Sequence, residues 1–170
     1  MIVNNYYKLK SVVCANIIPP TTPQTLPANL KDIDGNTGIG VYGDANQASA
    51  TFNTENWALR KRLSMRVGNG NTEPTLGDYR LDSDCNSWLT NIQTTVNTGY
   101  EDNVIKTVIT MSAINTGVNE LVIKEVGVFK GIYESGLVNH DVLLVRELLE
   151  DPLTVPSGGA FSLTFAWEEG

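Results

Sequence analysis

Charge is scarce in this sequence. Lys, Arg, Asp and Glu make up 18% of 170 residues, against roughly 25% in an ordinary globular chain, and the balance is acidic, with a formal net charge of -7. Such a surface offers no cationic track for a phosphate backbone and no attraction to an anionic bilayer. Direct nucleic-acid binding and membrane-surface binding are therefore not expected. The one basic run, Arg60-Lys61-Arg62, reads as a charged lead-in to a strand, because electrostatic nucleic-acid sites enlist many more cations. Histidine is rarer still. His140 is the single one, and Cys14 and Cys85 are the two cysteines. One imidazole and two distant thiols without metal-ligand spacing make no zinc site. Any Ser-His or Cys-His mechanism must run through His140, which reads as an exposed residue of a loop over Lys130 to Asp141. The thiols read as reduced and partly buried. No apolar run approaches the ~20 residues of a membrane span, and no signal peptide is read, since Lys8 and Lys10 precede only the short stretch Ser11 to Ile18 and then prolines. No catalytic, cofactor or metal site is expected.

What fills the gap left by charge is Asn, Thr, Gly and Ser, laid out in strand grammar. Ile105, Ile109, Met111 and Ala113 alternate with Lys106, Thr110 and Ser112, the period of a half-buried strand. Asn115, Thr116, Gly117, Val118 and Asn119 supply turn chemistry, so Val104 to Phe129 is read as a two-stranded hairpin. In its second half, Leu121 and Ile123 share a face with Glu125, Gly127 and Phe129, while Val122, Val126 and Val128 share the other. Apolar residues on both faces point to a strand covered on both sides, in a sandwich or at a subunit contact. At the end of the sequence, Phe161, Leu163, Phe165 and Trp167 alternate with Ala160, Ser162, Thr164 and Ala166. Residues 142–149 fit a strand or a helix capped by Asp141, and a strand is chosen because a β segment follows. Asp82 to Gln93 fits either a short helix bearing Trp88, Leu89 and Ile92 or an irregular crossing. The fold class expected is all-β, an antiparallel β-sandwich of jelly-roll or Ig-like type with an extended N-terminal arm.

That arm is assigned to residues 1–30 and the sandwich domain to 31–170. Tyr6, Tyr7, Leu9, Val12, Val13, Ile17 and Ile18 suit a strand, and Pro19, Pro20, Pro23 and Pro27 then impose an extended, donor-poor course. A segment of this kind builds no core of its own, so docking on a neighbouring subunit is expected, with Tyr6, Tyr7, Ile17, Ile18, Pro19 and Pro20 as the assembly residues. Asp32, Asp34, Gly35 and Asn36 resemble the start of a calcium loop without its closing Glu, and read as a plain turn. Gly68, Gly70, Thr72 and Pro74 form a corner after the strand Arg62 to Val67. The third glycine of a dinucleotide fingerprint is replaced by Glu73, and no Gly-Lys-Ser/Thr ending follows. Glu125, set among apolar residues, is expected in a structural ion pair with Arg66 or Arg146.

Three stretches together resemble a recurrent pattern in small virion proteins of tailed bacteriophages. They are Met65-Arg66-Val67-Gly68-Asn69-Gly70-Asn71-Thr72-Glu73-Pro74-Thr75 with Asp78 and Leu81 beyond, Leu121 to Phe129 with its Glu-x-Gly-aliphatic-Phe ending, and Leu144-Val145-Arg146 followed by Pro152, Val155 to Gly159 and the last alternating strand. The resemblance spans roughly Arg62 to Trp167. It implies a non-enzymatic β-sandwich subunit of a tail, collar, baseplate or fibre, made in the host cytoplasm and repeated in the virion as a homo-oligomer that contacts neighbouring virion proteins. The alternative expectation is a carbohydrate-binding sandwich in which Trp57, Trp88, Tyr79 or Tyr100 stacks on a glycan.

Overall fold

The computed structural model describes residues 1–15, 24–43, 63–101, 104–134 and 138–169. The chain is mostly β and its paired strands are antiparallel. A helix α1 (Asn4–Ala15) comes first, followed by the strand pair β1 (Gln24–Lys31) and β2 (Thr37–Gly43). One three-stranded sheet has the order β3-β6-β7, from β3 (Leu63–Gly68), β6 (Leu121–Glu134) and β7 (Val138–Val155). The other has the order β4-β5-β8, from β4 (Leu89–Glu101), β5 (Val104–Asn115) and β8 (Ala160–Glu169). No described helix is long and apolar enough to cross a membrane.

One core joins the two three-stranded sheets: Met65, Val67, Ile123, Val128 and Val145 from the first pack with Ile109, Met111, Ala113 and Phe161 from the second. Ile109, Met111 and Ala113 are the inward positions of their alternation, and Thr110, Ser112 and Thr164 face the other way. In β6 the alternation is broken, because a register shift against β7 between Ile123 and Glu125 puts Leu121 and Ile123 in the same core as Val126 and Val128 rather than on the face of Glu125. Residues 142–149 lie within β7. The short helix-or-crossing segment is a single 3-10 turn, Asn86–Trp88, leading straight into β4.

The segment Val104 to Phe129 is not a hairpin. Its halves belong to different sheets: β5 pairs with β4 and β8, and β6 pairs with β3 and β7. Residues 116–120 are therefore an arch that carries the chain across the core. The reason lies in Asn115, which is fully buried and whose amide replaces the ladder at the crossing. Its Nδ2 donates to the carbonyls of Asn119 at 3.0 Å, Val155 at 3.1 Å and Pro156 at 3.2 Å, while its Oδ1 accepts from Gly117 N at 2.9 Å. The β7–β8 turn crosses beside it, and Ser157 Oγ donates to Gly117 O at 2.7 Å. Two arches are thus knit side by side by one side chain that meets its own hydrogen-bonding needs.

The first residues also depart from expectation, since Asn4–Ala15 is helical where a strand was read. The helix turns a buried Asn5 and Leu9, one turn apart, toward the domain. The Asn5 amide brackets Lys31, donating to its carbonyl at 2.7 Å and accepting from its N–H at 3.0 Å. Ahead of the helix, Ile2 bridges Val145 and Val3 N donates to Leu144 O at 3.0 Å, so Met1 to Val3 line the edge of β7. The described part of the first thirty residues packs on its own chain. In β1, a register shift between Leu26 and Leu30 brackets Pro27, which has no N–H to give to a ladder.

β6 is covered on both faces by its own chain. Val126 and Val128 enter the main core, while Phe129 joins Val3, Leu81 and Leu143 in a second cluster. Gly127 leaves a required gap in the second cluster: a Cβ there would stand 2.8 Å from Leu81 Cδ2 and Phe129 Cε2 and 2.9 Å from Leu143 Cδ1. Gly127→Ala is expected to cost about 1–3 kcal/mol through overpacking, measured as a lower midpoint of thermal unfolding with the fold retained.

Candidate functional site

The residues singled out in the sequence converge under the loop that runs from Gly68 to Asn86. The loop is closed at its neck, where Gly68 bridges Asp84, Asn69 N donates to Ser83 O at 3.0 Å, Cys85 N donates to Val67 O at 2.9 Å, and Asn86 Oδ1 accepts from Val67 N at 3.2 Å. Glu125 points into this ring from β6 and is 0% exposed. Its Oε1 accepts from Ser83 N at 2.8 Å and Gly70 N at 3.2 Å, and its Oε2 accepts from Arg146 Nε at 2.8 Å and Asp82 N at 3.2 Å. Three loop amides and one guanidinium thus take the place of water around a carboxylate that would otherwise be costly to bury.

Gly68 and Gly70 are read in the sequence as residues that let the chain turn. Neither has a positive φ, and the reason for glycine is space. A Cβ at either position would come within 2.5 Å of Glu125 Oε1. The loop backbone must lie directly on the carboxylate for its amides to reach, and only a residue without a side chain permits that approach.

Arg146, buried on β7 opposite Gly127, distributes its fork over three partners. Nε binds Glu125, Nη1 donates to Asp78 Oδ2 at 2.7 Å, and Nη2 donates to Thr72 O at 2.9 Å. Burial alone would lower the Arg146 pKa, but the hydrogen bonds and charges of Asp78 and Glu125 raise it. Burial alone would raise the Asp78 carboxyl, but Arg146 and Thr75 hold it below the usual range. Asp78 also shapes the loop, accepting from Thr75 N at 3.0 Å and Thr75 Oγ1 at 2.7 Å just beyond Pro74. Thr72 Oγ1 donates to Asp82 at 2.9 Å. A lysine has no planar fork with which to serve three acceptors at once.

Of the two arginines proposed for Glu125, the structure brings Arg146 to it and takes Arg66 elsewhere. Arg66 pairs with Asp141, lies 3.5 Å from Asp84, and stacks on the Phe129 ring at 4.9 Å. His140 is not an exposed loop residue. β6 runs on to Glu134 and β7 starts at Val138, so His140 sits in a strand, 9% exposed, with its Nδ1 2.8 Å from Asp32 Oδ2. Asp32 is the pivot of the turn before β2: it accepts from Asp34 N at 3.0 Å, Asn36 N at 2.8 Å and Asn36 Nδ2 at 2.8 Å. Burial would raise its carboxyl, but the bonds from Asn36 and His140 lower it. Cys85 is a free, buried thiol that burial pushes up. Tyr6 is half-buried against the core and Tyr7 exposed, whereas Ile17, Ile18, Pro19, Pro20 and Trp57 lie outside the described residues. The Tyr79 ring is covered by Lys31 Nζ at 3.5 Å, and Trp88 and Tyr100 are exposed.

The roles of four residues escape sequence reasoning. The Asp78-x-x-Leu81 spacing marks both residues, but nothing local says that one meets a guanidinium and the other Gly127. Asn115 looks like an ordinary turn residue. Lys130 reads as the first residue of a loop, yet it is buried in β6, where desolvation lowers its pKa from 10.5 to about 8. Chemically, the Glu125 cluster is an internal fastener, since both carboxylate oxygens are engaged by the chain's own donors. Comparison with known protein families, curated proteins and solved structures finds no match.

Arg146→Met leaves Glu125 buried without its cation and is expected to cost about 3–5 kcal/mol, read from urea unfolding. Glu125→Gln combined with Arg146→Met should cost less than the sum of the two single changes, because the charge goes with its partner. Stability should also depend on pH in two windows. Asp78 and Asp32 titrate lower in the fold, so their contribution is present above about pH 4 and is lost as pH falls further. Lys130 releases its proton near pH 8 in the fold but near 10.5 when unfolded. On the Lys130 site the unfolded chain therefore holds more protons between these values, so the Lys130 contribution to stability rises with pH across that window, opposed at its upper end by the raised Cys85 thiol. Urea midpoints measured against pH should show both slopes, and Lys130→Met should abolish the upper one.

Proposed function

We propose that this chain is a non-enzymatic structural subunit of a tailed-bacteriophage virion, repeated within a tail, collar, baseplate or fibre and contacting copies of itself and neighbouring virion proteins. One observation carries the reading. The three stretches that bear the resemblance, far apart in sequence, meet around one buried carboxylate: Gly68, Gly70, Thr72 and Asp78 from the first, Glu125 from the second, and Arg146 from the third. Residues that build one another's environment in this way are architectural, as a structural subunit requires.

In this reading the two three-stranded sheets form a β-sandwich over their shared core, and residues 1–30 are an arm whose described part is folded back on the domain. The chain is made in the host cytoplasm and resides in the virion. Carbohydrate binding is the second reading, favoured by the exposure of Trp88 and Tyr100, whose ring faces suit sugar stacking.

Immunogold electron microscopy of virions with antibodies against the chain tests the proposal. Label at a repeated, fixed position is expected, and virions without label contradict it. Binding of the purified chain to glycans, lost in Trp88→Ala, would favour the second reading.

A further inference from the structure

The outer face of the β4-β5-β8 sheet carries little charge for an acidic chain. Its middle row is Thr95, Thr110 and Thr164, with the last two hydroxyls 3.0 Å apart, and the row beside it is Gln93, Ser112 and Ser162. The flanking strands present exposed Thr95, Ser162, Thr164 and Ala166 to solvent. An ordinary solvated sheet face carries Lys and Glu in both signs. Here, from the Ile114 row to the Lys106 row, the charged side chains are Lys106 and Glu168, paired with each other at 3.2 Å.

The two ends of this face differ in a complementary way. At the end near the β5–β6 arch stands Trp88, 48% exposed, with its carbonyl held by Thr116 N at 2.8 Å and Thr116 Oγ1 at 2.9 Å. At the opposite end stands Lys106. Thr116, the first residue beyond β5, and Lys106 are each five residues from Met111. A two-fold axis lying in the plane of the contact and running across the strands at the centre of the face would bring each copy's Lys106 end over the other's Trp88 end, a cation meeting an indole. The same axis would set one uncharged hydroxyl row against another.

We infer that this face is an isologous contact with a second copy of the chain. Charge selects the partner. Copies carrying a net charge of -7 repel one another over most approaches, but not through a face whose one cation and one anion cancel. Area permits it: ten paired residues along β5 and β8 and three strands across make a face about 34 Å by 14 Å. Two such faces bury on the order of 1,000 Å² in total, the lower bound for a specific interface. The side chains are small, so the sheets approach with little rotamer entropy to lose. The inference deepens the structural-subunit reading by naming the surface through which copies meet, and it rests on that reading only for the biological setting.

Sedimentation velocity of the full chain across a concentration series tests it. A reversible dimer is expected for the parent. Thr164→Glu, at an exposed position on the face, should weaken that dimer at least tenfold, because the two-fold axis brings the new charge of each copy to the same interface. Thr154→Glu, exposed on β7, should leave it unchanged, and both variants should melt close to the parent. A parent that stays monomeric throughout overturns the second copy as occupant. A dimer insensitive to Thr164→Glu overturns the face. Either result is independent of the immunogold outcome, which bears on the virion reading alone.

Discussion

A carboxylate with no access to water sets the terms for this structure. Glu125 is buried in the middle of a sheet, and its charge is tolerable only while Gly70, Asp82 and Ser83 present their amides and Arg146 its Nε. That requirement fixes the course of the irregular segment between β3 and β4, leaves no room for a Cβ at Gly68 or Gly70, and calls for a guanidinium on the neighbouring strand. The guanidinium in turn fixes Asp78 and Thr72, and through them the far side of the loop. A loop with little regular structure of its own thereby gains the definition of a core element.

The same device recurs at three other places among the described residues. Asn115 holds the two arches, Asp32 holds the turn before β2 and reaches His140, and Asn5 brackets Lys31 at the end of β1. In each case a buried polar side chain supplies hydrogen bonds that strand pairing cannot. This is consistent with a chain poor in charge and rich in amides and hydroxyls. Its polar groups work inside the fold, and the sheet face turned outward is left neutral.

Local patterns in the sequence reveal local structure. The alternation from Ile109 to Ala113 and from Phe161 to Trp167 predicts which side chains enter or pack on the core, because a strand with one wet face must alternate. The apolar pattern on both faces of Leu121 to Phe129 predicts double coverage. What local pattern does not carry is partner choice. Asn115 to Asn119 has the chemistry of a hairpin turn and of an arch alike, and the distinction lies in hydrogen bonds to Val155 and Pro156. The helix Asn4–Ala15 is obscured because its buried face includes Asn5, whose satisfaction comes from Lys31. Arg66 and Arg146 are equivalent by sequence and both stand opposite Gly127, one on each strand beside β6. What separates them is their other partners, Asp141 and Asp84 for Arg66 and Asp78 and Thr72 for Arg146. Gly68 and Gly70 were legible as glycines that matter, but for space rather than for φ.

Amide hydrogen exchange at Gly70, Asp82 and Ser83 examines the Glu125 fastening directly. These N–H groups lie in a surface loop, yet if the buried carboxylate organises the fold they should exchange as slowly as the amides of β6, opening only with global unfolding. Exchange at the rate of an open loop, with β6 still protected, would contradict the central place given to Glu125.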